Sequence, residues 1–130
     1  MDVSWERIRK QSSTNYGKAV QYIESLIELK YDLEERGISG FDSFLESEEF
    51  SFAKIAARLV QEGYSPELSE KVLSNVLNAE EFDDEEYLQN VLFSEFVLAI
   101  QSKSIGIQEL RIRLFSYLGA RGVKKMLTGF

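Results

Sequence analysis

The chain of 130 residues has the length of one domain with one core, and its 44% hydrophobic and 28% charged residues are an ordinary globular balance. Without cysteine or histidine it has no disulfide, no thiolate metal site, no thiol nucleophile and no imidazole base, so the expectation is a noncatalytic protein with no cofactor and no metal. A net charge of −7 argues against a broad basic surface for nucleic acid.

The start, MDVSWERIRKQSS, is charged throughout and lacks the apolar stretch of a signal peptide. Residues 3–10 are expected to form one or two helical turns, with Trp5 and Ile8 on one face. Gln11 to Asn15 reads as a loop with capping side chains, so residues 1–13 form an N-terminal arm.

The first long helix is expected over residues 14–36. Tyr16, Ala19, Val20, Ile23, Leu26, Ile27, Leu29 and Leu33 recur every three to four residues and make one stripe. Gly37 fits the position after the helix, where a left-handed backbone ends it. Phe41, Phe44 and Leu45 would share a face of a short helix over 40–46. The next helix opens at Ser51 or nearer Ser47, carries Phe52, Ile55, Ala56, Leu59 and Val60, and ends at Gly63. Ser65-Pro66-Glu67 starts another, with serine as N-cap, proline at the first position and an acid at the positive dipole end.

Asn78 to Glu86 holds six carboxylates, and Asp83 with Glu86 fits a capping box. The helix over 83–102 is the most apolar and is expected at the centre. Gly106 opens a further helix, Gly119 breaks it, and a last turn carries Val123, Met126 and Leu127. No segment alternates with period two, so no strand is expected. The longest nearly apolar run, 91–100, spans about half a bilayer core, so no membrane helix is expected. The result is a single all-α domain, a bundle of roughly six to eight helices. LKYDLEERGISGFDSFLE and LAIQSKSIGIQELRIRLF share a helix–Gly–Ile–helix outline, which is either a duplication or a chance likeness.

Several clusters carry two readings each. Glu80–Glu86 lacks the glycine and ligand spacing of a calcium loop and fits a solvated linker leading into a helix N-terminus. Adjacent carboxylates such as Glu34–Glu35 and Glu48–Glu49 point about 100° apart on a helix and suit a charged face better than acid–base work. Arg111, Arg113, Arg121, Lys124 and Lys125 are either a patch for an anionic partner or a weak membrane-surface contact, or bases that complement helix C-termini and pair with the acidic cluster. Phe41, Phe44, Phe50 and Phe52 are either core or an exposed partner patch.

Residues 33–77 also carry a set of motifs: Glu35-Arg36-Gly37-Ile38, the acidic and apolar stretch 41–46, Leu59-Val60-Gln61-Glu62-Gly63, and Ser65-Pro66-Glu67-Leu68 leading to Val76-Leu77. Over about a third of the chain they resemble the cytoplasmic segment of MotA-type flagellar stator subunits, relatives of the TolQ and ExbB proton-channel proteins. In that family a basic residue three positions before the glycine and an acidic one five positions after it contact the rotor. Here those positions hold Glu34 and Asp42, with Arg36 nearby. Stator subunits have membrane helices on both sides of this segment, and this chain has none there. The resemblance therefore implies a detached cytoplasmic module that conducts no ions. Its partner is a protein, a flagellar rotor or stator component, met by Glu34, Arg36, Phe41, Asp42, Phe44 and Glu46. The alternatives are a regulatory or adaptor domain unrelated to motility, and a small-molecule binder with a carboxylate pocket.

Overall fold

Local chemistry sets most helix ends. The computed structural model describes residues 1–44, 46, 51–102 and 105–127, with the backbone alone at 43 and 44. They form α1 (Trp5–Thr14), α2 (Tyr16–Arg36), a 3₁₀ turn (Gly37–Gly40), α3 (Phe41–Phe44), α4 (Phe52–Gln61), α5 (Pro66–Ala79), α6 (Asp84–Gln101), α7 (Ile107–Ser116) and α8 (Ala120–Val123). No strand occurs among the described residues, and the fold is all-α.

Ser51 is the N-cap of α4, accepting the Lys54 N–H at 3.3 Å, and Ser65 caps α5, accepting the Leu68 N–H at 3.2 Å ahead of Pro66. Asp83 caps α6, accepting the Glu86 N–H at 2.8 Å. At the end of α4 the Gly63 N–H donates to the Val60 carbonyl and the Tyr64 N–H to the Leu59 carbonyl. These are the two bonds of a Schellman motif. Gly37 ends α2 with φ 65°, whereas Gly106 precedes α7 with φ −83°. The two glycines do opposite jobs, so the shared outline around them is not a structural repeat.

At the N-terminus the structure corrects the sequence reading. The expected loop from Gln11 is helical as far as Thr14, because Ser12, Ser13 and Thr14 turn their hydroxyls back onto the Arg9 and Lys10 carbonyls. Such residues often end helices by bonding the backbone elsewhere; here they bond within the helix. Nor do residues 5–13 form a free arm. Ile8 is fully buried, Gln11 faces inward, and Trp5 stacks on Tyr117 with ring centroids 5.4 Å apart.

α6 occupies the centre and packs against α1, α2, α4, α5 and α7. Tyr87, Leu88, Val91, Leu92, Phe93, Phe96, Val97 and Ala99 are all buried, which leaves the helix no polar face over most of its length. Each of the valine, leucine and phenylalanine side chains among them contributes roughly 1.5–3 kcal/mol by leaving water. Ser94, buried among them, donates to the Asn90 carbonyl at 2.8 Å. No helix among the described residues is long and apolar enough to cross a membrane.

α1 is very polar, and charge fixes it to the start of α6. Arg7 donates to Asp84 at 2.8 Å and to the Phe82 carbonyl, and its guanidinium lies 4.2 Å from the centre of the Tyr87 ring. Lys10 stands 3.4 Å from Asp84. The hydrogen bond from Arg7, and then Lys10, holds the Asp84 carboxyl below the usual carboxylate range.

Two measurements check this account. Ile8→Ala leaves a cavity under α1 and is expected to cost about 2–5 kcal/mol in urea unfolding. Asp84 ionises more readily folded than unfolded, so its contribution is present above the unfolded value of about 4 and fades as pH falls below it. The stability gap between the native chain and Asp84→Asn should therefore be open at pH 7 and close below about pH 4.

Candidate functional site

The site begins where α2 stops. After Arg36 the chain makes the 3₁₀ turn and lies back on α2. Gly40 is buried there, and a Cβ on it would stand 3.0 Å from the Asp32 carbonyl group and 3.1 Å from the Leu33 nitrogen. A side chain on this residue would press on the α2 backbone, which would have to give by a few tenths of an ångström. The next residue, Phe41, is fully buried and anchors the turn in the core. Asp42 follows it and is exposed.

The structure divides the expected contact residues. Phe41 is core, which corrects its reading as an exposed partner residue: it follows the turn directly into the interior. Phe52 is buried as well, in edge-to-face contact with Phe82. The Phe44 side chain and all of Phe50 lie outside the described residues, and Glu46 is exposed. Glu34 and Arg36 are also exposed but pair within α2, Glu34 with Lys30 at 3.2 Å and Arg36 with Asp32 at 3.8 Å. Such surface pairs contribute a few tenths of a kcal/mol. Asp42 joins a different set. Its carboxylate accepts from Gln61 of α4 at 3.5 Å.

Asp42, five residues of α4 and its C-cap Glu62 line an open groove of about 580 Å³. Ile55 and Leu59 form one row, spaced i, i+4. Lys54, Arg58 and Glu62 form the neighbouring row at the same spacing. Ile55 is half-buried, Leu59 is buried, and Arg58 and Glu62 are exposed. The groove thus has an aliphatic floor, cations toward the start of α4 and carboxylates toward its end. That arrangement suits docking of a mixed apolar and charged surface. Away from the groove, in the first turn of α6, the Glu86 carboxyl is raised above its ordinary range, by lost hydration first and then by Asp83 and Glu85.

The other candidate clusters are occupied by structural work. In the acidic stretch Asp83 caps α6, Asp84 binds Arg7 and Lys10, and Glu85 faces Lys18 at 3.7 Å. No three carboxylates converge as metal ligands among the described residues. Of the C-terminal bases, Arg111 pairs with Glu24 of α2 at 2.5 Å. Arg113 places two N–H groups on one Glu95 oxygen, at 2.7 and 3.0 Å. Arg121 lies 3.7 Å from the centre of the Tyr16 ring. Their partners are Glu24, Glu95 and Tyr16, where the sequence suggested the acidic cluster. Beside Glu95, the Tyr117 hydroxyl is pushed up to about 12, by burial first and by the Glu95 charge second.

Lys54 and Arg58 were not among the residues expected from sequence. Their i, i+4 spacing is visible in the chain, but not that Asp42 closes the same groove. No protein-family model, curated protein or solved structure matches the chain.

Anchor and contact residue should separate in mutants. Phe41→Ala is expected to cost about 3–5 kcal/mol in urea unfolding. Asp42→Lys, beside it in sequence, should stay within about 0.5 kcal/mol of the native chain.

Proposed function

We propose that the chain is a noncatalytic protein-interaction module, that Asp42 and the α4 groove are its contact surface, and that it works in the cytoplasm with flagellar rotor or stator components. The observation that carries this reading is the placement of Asp42. It is raised on a turn fixed by Gly40 and Phe41, at the rim of an open groove with an aliphatic floor. Preorganised backbone under a charged contact lowers the ordering cost of binding. The motor assignment draws on the likeness of residues 33–77 to stator subunits, in which an acid at the position of Asp42 meets the rotor.

One observation favours a second reading. Gly37, Gly63 and Ser65-Pro66, which carry much of that likeness, are all helix-end residues whose local chemistry accounts for them. An adaptor unrelated to motility would carry the same caps.

The two readings separate in a capture experiment with the purified chain as bait in lysate of the source organism, and Asp42→Lys as paired bait. Mass spectrometry is expected to identify rotor or stator components on the native bait, reduced about tenfold or more on the variant, a loss typical of reversing one contact charge. Unrelated proteins on both baits would establish the adaptor reading instead. Motor components held equally by both would remove Asp42 from the contact.

A further inference from the structure

The bases of the α4 groove are left without a task by the motor reading. Lys54 has no ion pair among the described residues. Arg58 reaches only Glu62, at 4.0 Å, with both side chains more than half exposed. A pair so long and so wet contributes almost nothing. Two cations one helical turn apart, with no close ion pair among the described residues, stand out on a chain of net charge −7.

Their neighbours define what fits. Ile55, half-buried, and the buried Leu59 beneath it run alongside at the same spacing, so toward the start of α4 the groove sets an apolar floor beside a row that opens with two bases and ends in Glu62. Side chains at i, i+4 on any α-helix are about 5–6 Å apart. A helix laid along α4 matches both rows at once, with an apolar pair over Ile55 and Leu59 and carboxylates over Lys54 and Arg58. Asp42 and Glu62 at the far end repel further acids and limit the acidic run to one end of the ligand. α4 is ten residues long, about 15 Å, which accommodates two to three turns of such a helix. Two bases are too few to hold a nucleic acid or an anionic bilayer against the charge of the rest of the chain.

We propose that the groove receives an amphipathic helix of a partner protein, one that carries an apolar i, i+4 pair with acidic residues beside it at one end. The proposal rests on the chain being an interaction module and is independent of the motor. The ligand chemistry follows from the charge and spacing of Lys54, Ile55, Arg58 and Leu59.

A phage-displayed library of 16-residue amphipathic helical peptides, panned on the full chain and counter-selected on Ile55→Glu, tests it. Recovered peptides are expected to share the apolar pair with acids at one end. Their affinity should fall about tenfold or more on the Lys54→Glu/Arg58→Glu chain, and return when the peptide acids are exchanged for lysine. Circular dichroism and urea unfolding check that the variants keep the fold. Recovery of no peptides, of peptides without the acidic end, or of peptides indifferent to the double reversal would overturn the proposal. The lysate capture decides the motor assignment separately. Motor proteins retained without selected peptides retire this inference alone, and patterned peptides without motor proteins retire the motor assignment alone.

Discussion

A helix that is apolar on nearly every side has one stable position, and α6 takes it. Its buried residues run from Tyr87 to Ala99 and cover most of its circumference, with only Gln89, Asn90, Glu95 and Leu98 partly exposed between them, and five other helices enclose it. Much of the architecture follows from that requirement. α2 and α7 cover one part, tied together by Arg111 and Glu24, and α4 and α5 cover another. α1 completes the enclosure although little of it is apolar. It supplies Ile8 to the core and holds its place with Arg7 and Lys10 on Asp84. Glu95, the acid in the middle of α6, is tolerated because Arg113 brings two donors to it. A carboxylate so placed without a partner would cost several kcal/mol.

The groove is a consequence of how α4 meets this centre. α4 turns Phe52, Ala56, Ala57 and Leu59 inward, with both alanines fully buried. The face left outward carries Lys54 and Arg58, with Ile55 at the boundary. The 3₁₀ turn then brings Asp42 to the same edge, because Gly40 lets the chain lie against α2 and Phe41 fixes it there. The groove therefore depends on two core requirements, a small-sided α4 and a glycine at the turn. Neither the turn nor α4 makes the groove alone.

What could be read from the sequence was whatever local chemistry decides. The apolar circumference of α6, the caps at Ser65 and Asp83, and the endings at Gly37 and Gly63 each depend on residues a few positions apart, and each was legible. α1 was cut short because Ser12, Ser13 and Thr14 look like a loop, and nothing local reveals that their hydroxyls fold back onto their own helix. Phe41 was misread for a related reason: a density of phenylalanines shows that something is apolar, not which way each ring turns. The pairing of Arg111 with Glu24 joins residues far apart in the chain and follows from the packing of α7 on α2. The groove is invisible to periodicity for the same reason, since Asp42 and α4 belong to different elements.

That distinction also weighs the parts of the stator likeness. Gly37, Gly63, Ser65 and Pro66 are required by helix geometry in this fold, so a family that shares them has shared only the need to begin and end helices. Glu34 and Arg36 sit in exposed intrahelical pairs of α2. Asp42 differs. It caps no helix and joins no ion pair among the described residues, and the four-residue α3 in whose first turn it lies has little dipole to complement. Folding asks nothing specific of this position, yet the backbone beneath it is held by a glycine and a phenylalanine that folding does constrain. An exposed charge on a fixed support is what a docking contact requires, so the proposed docking role rests on this one residue and the groove beside it, and not on the caps.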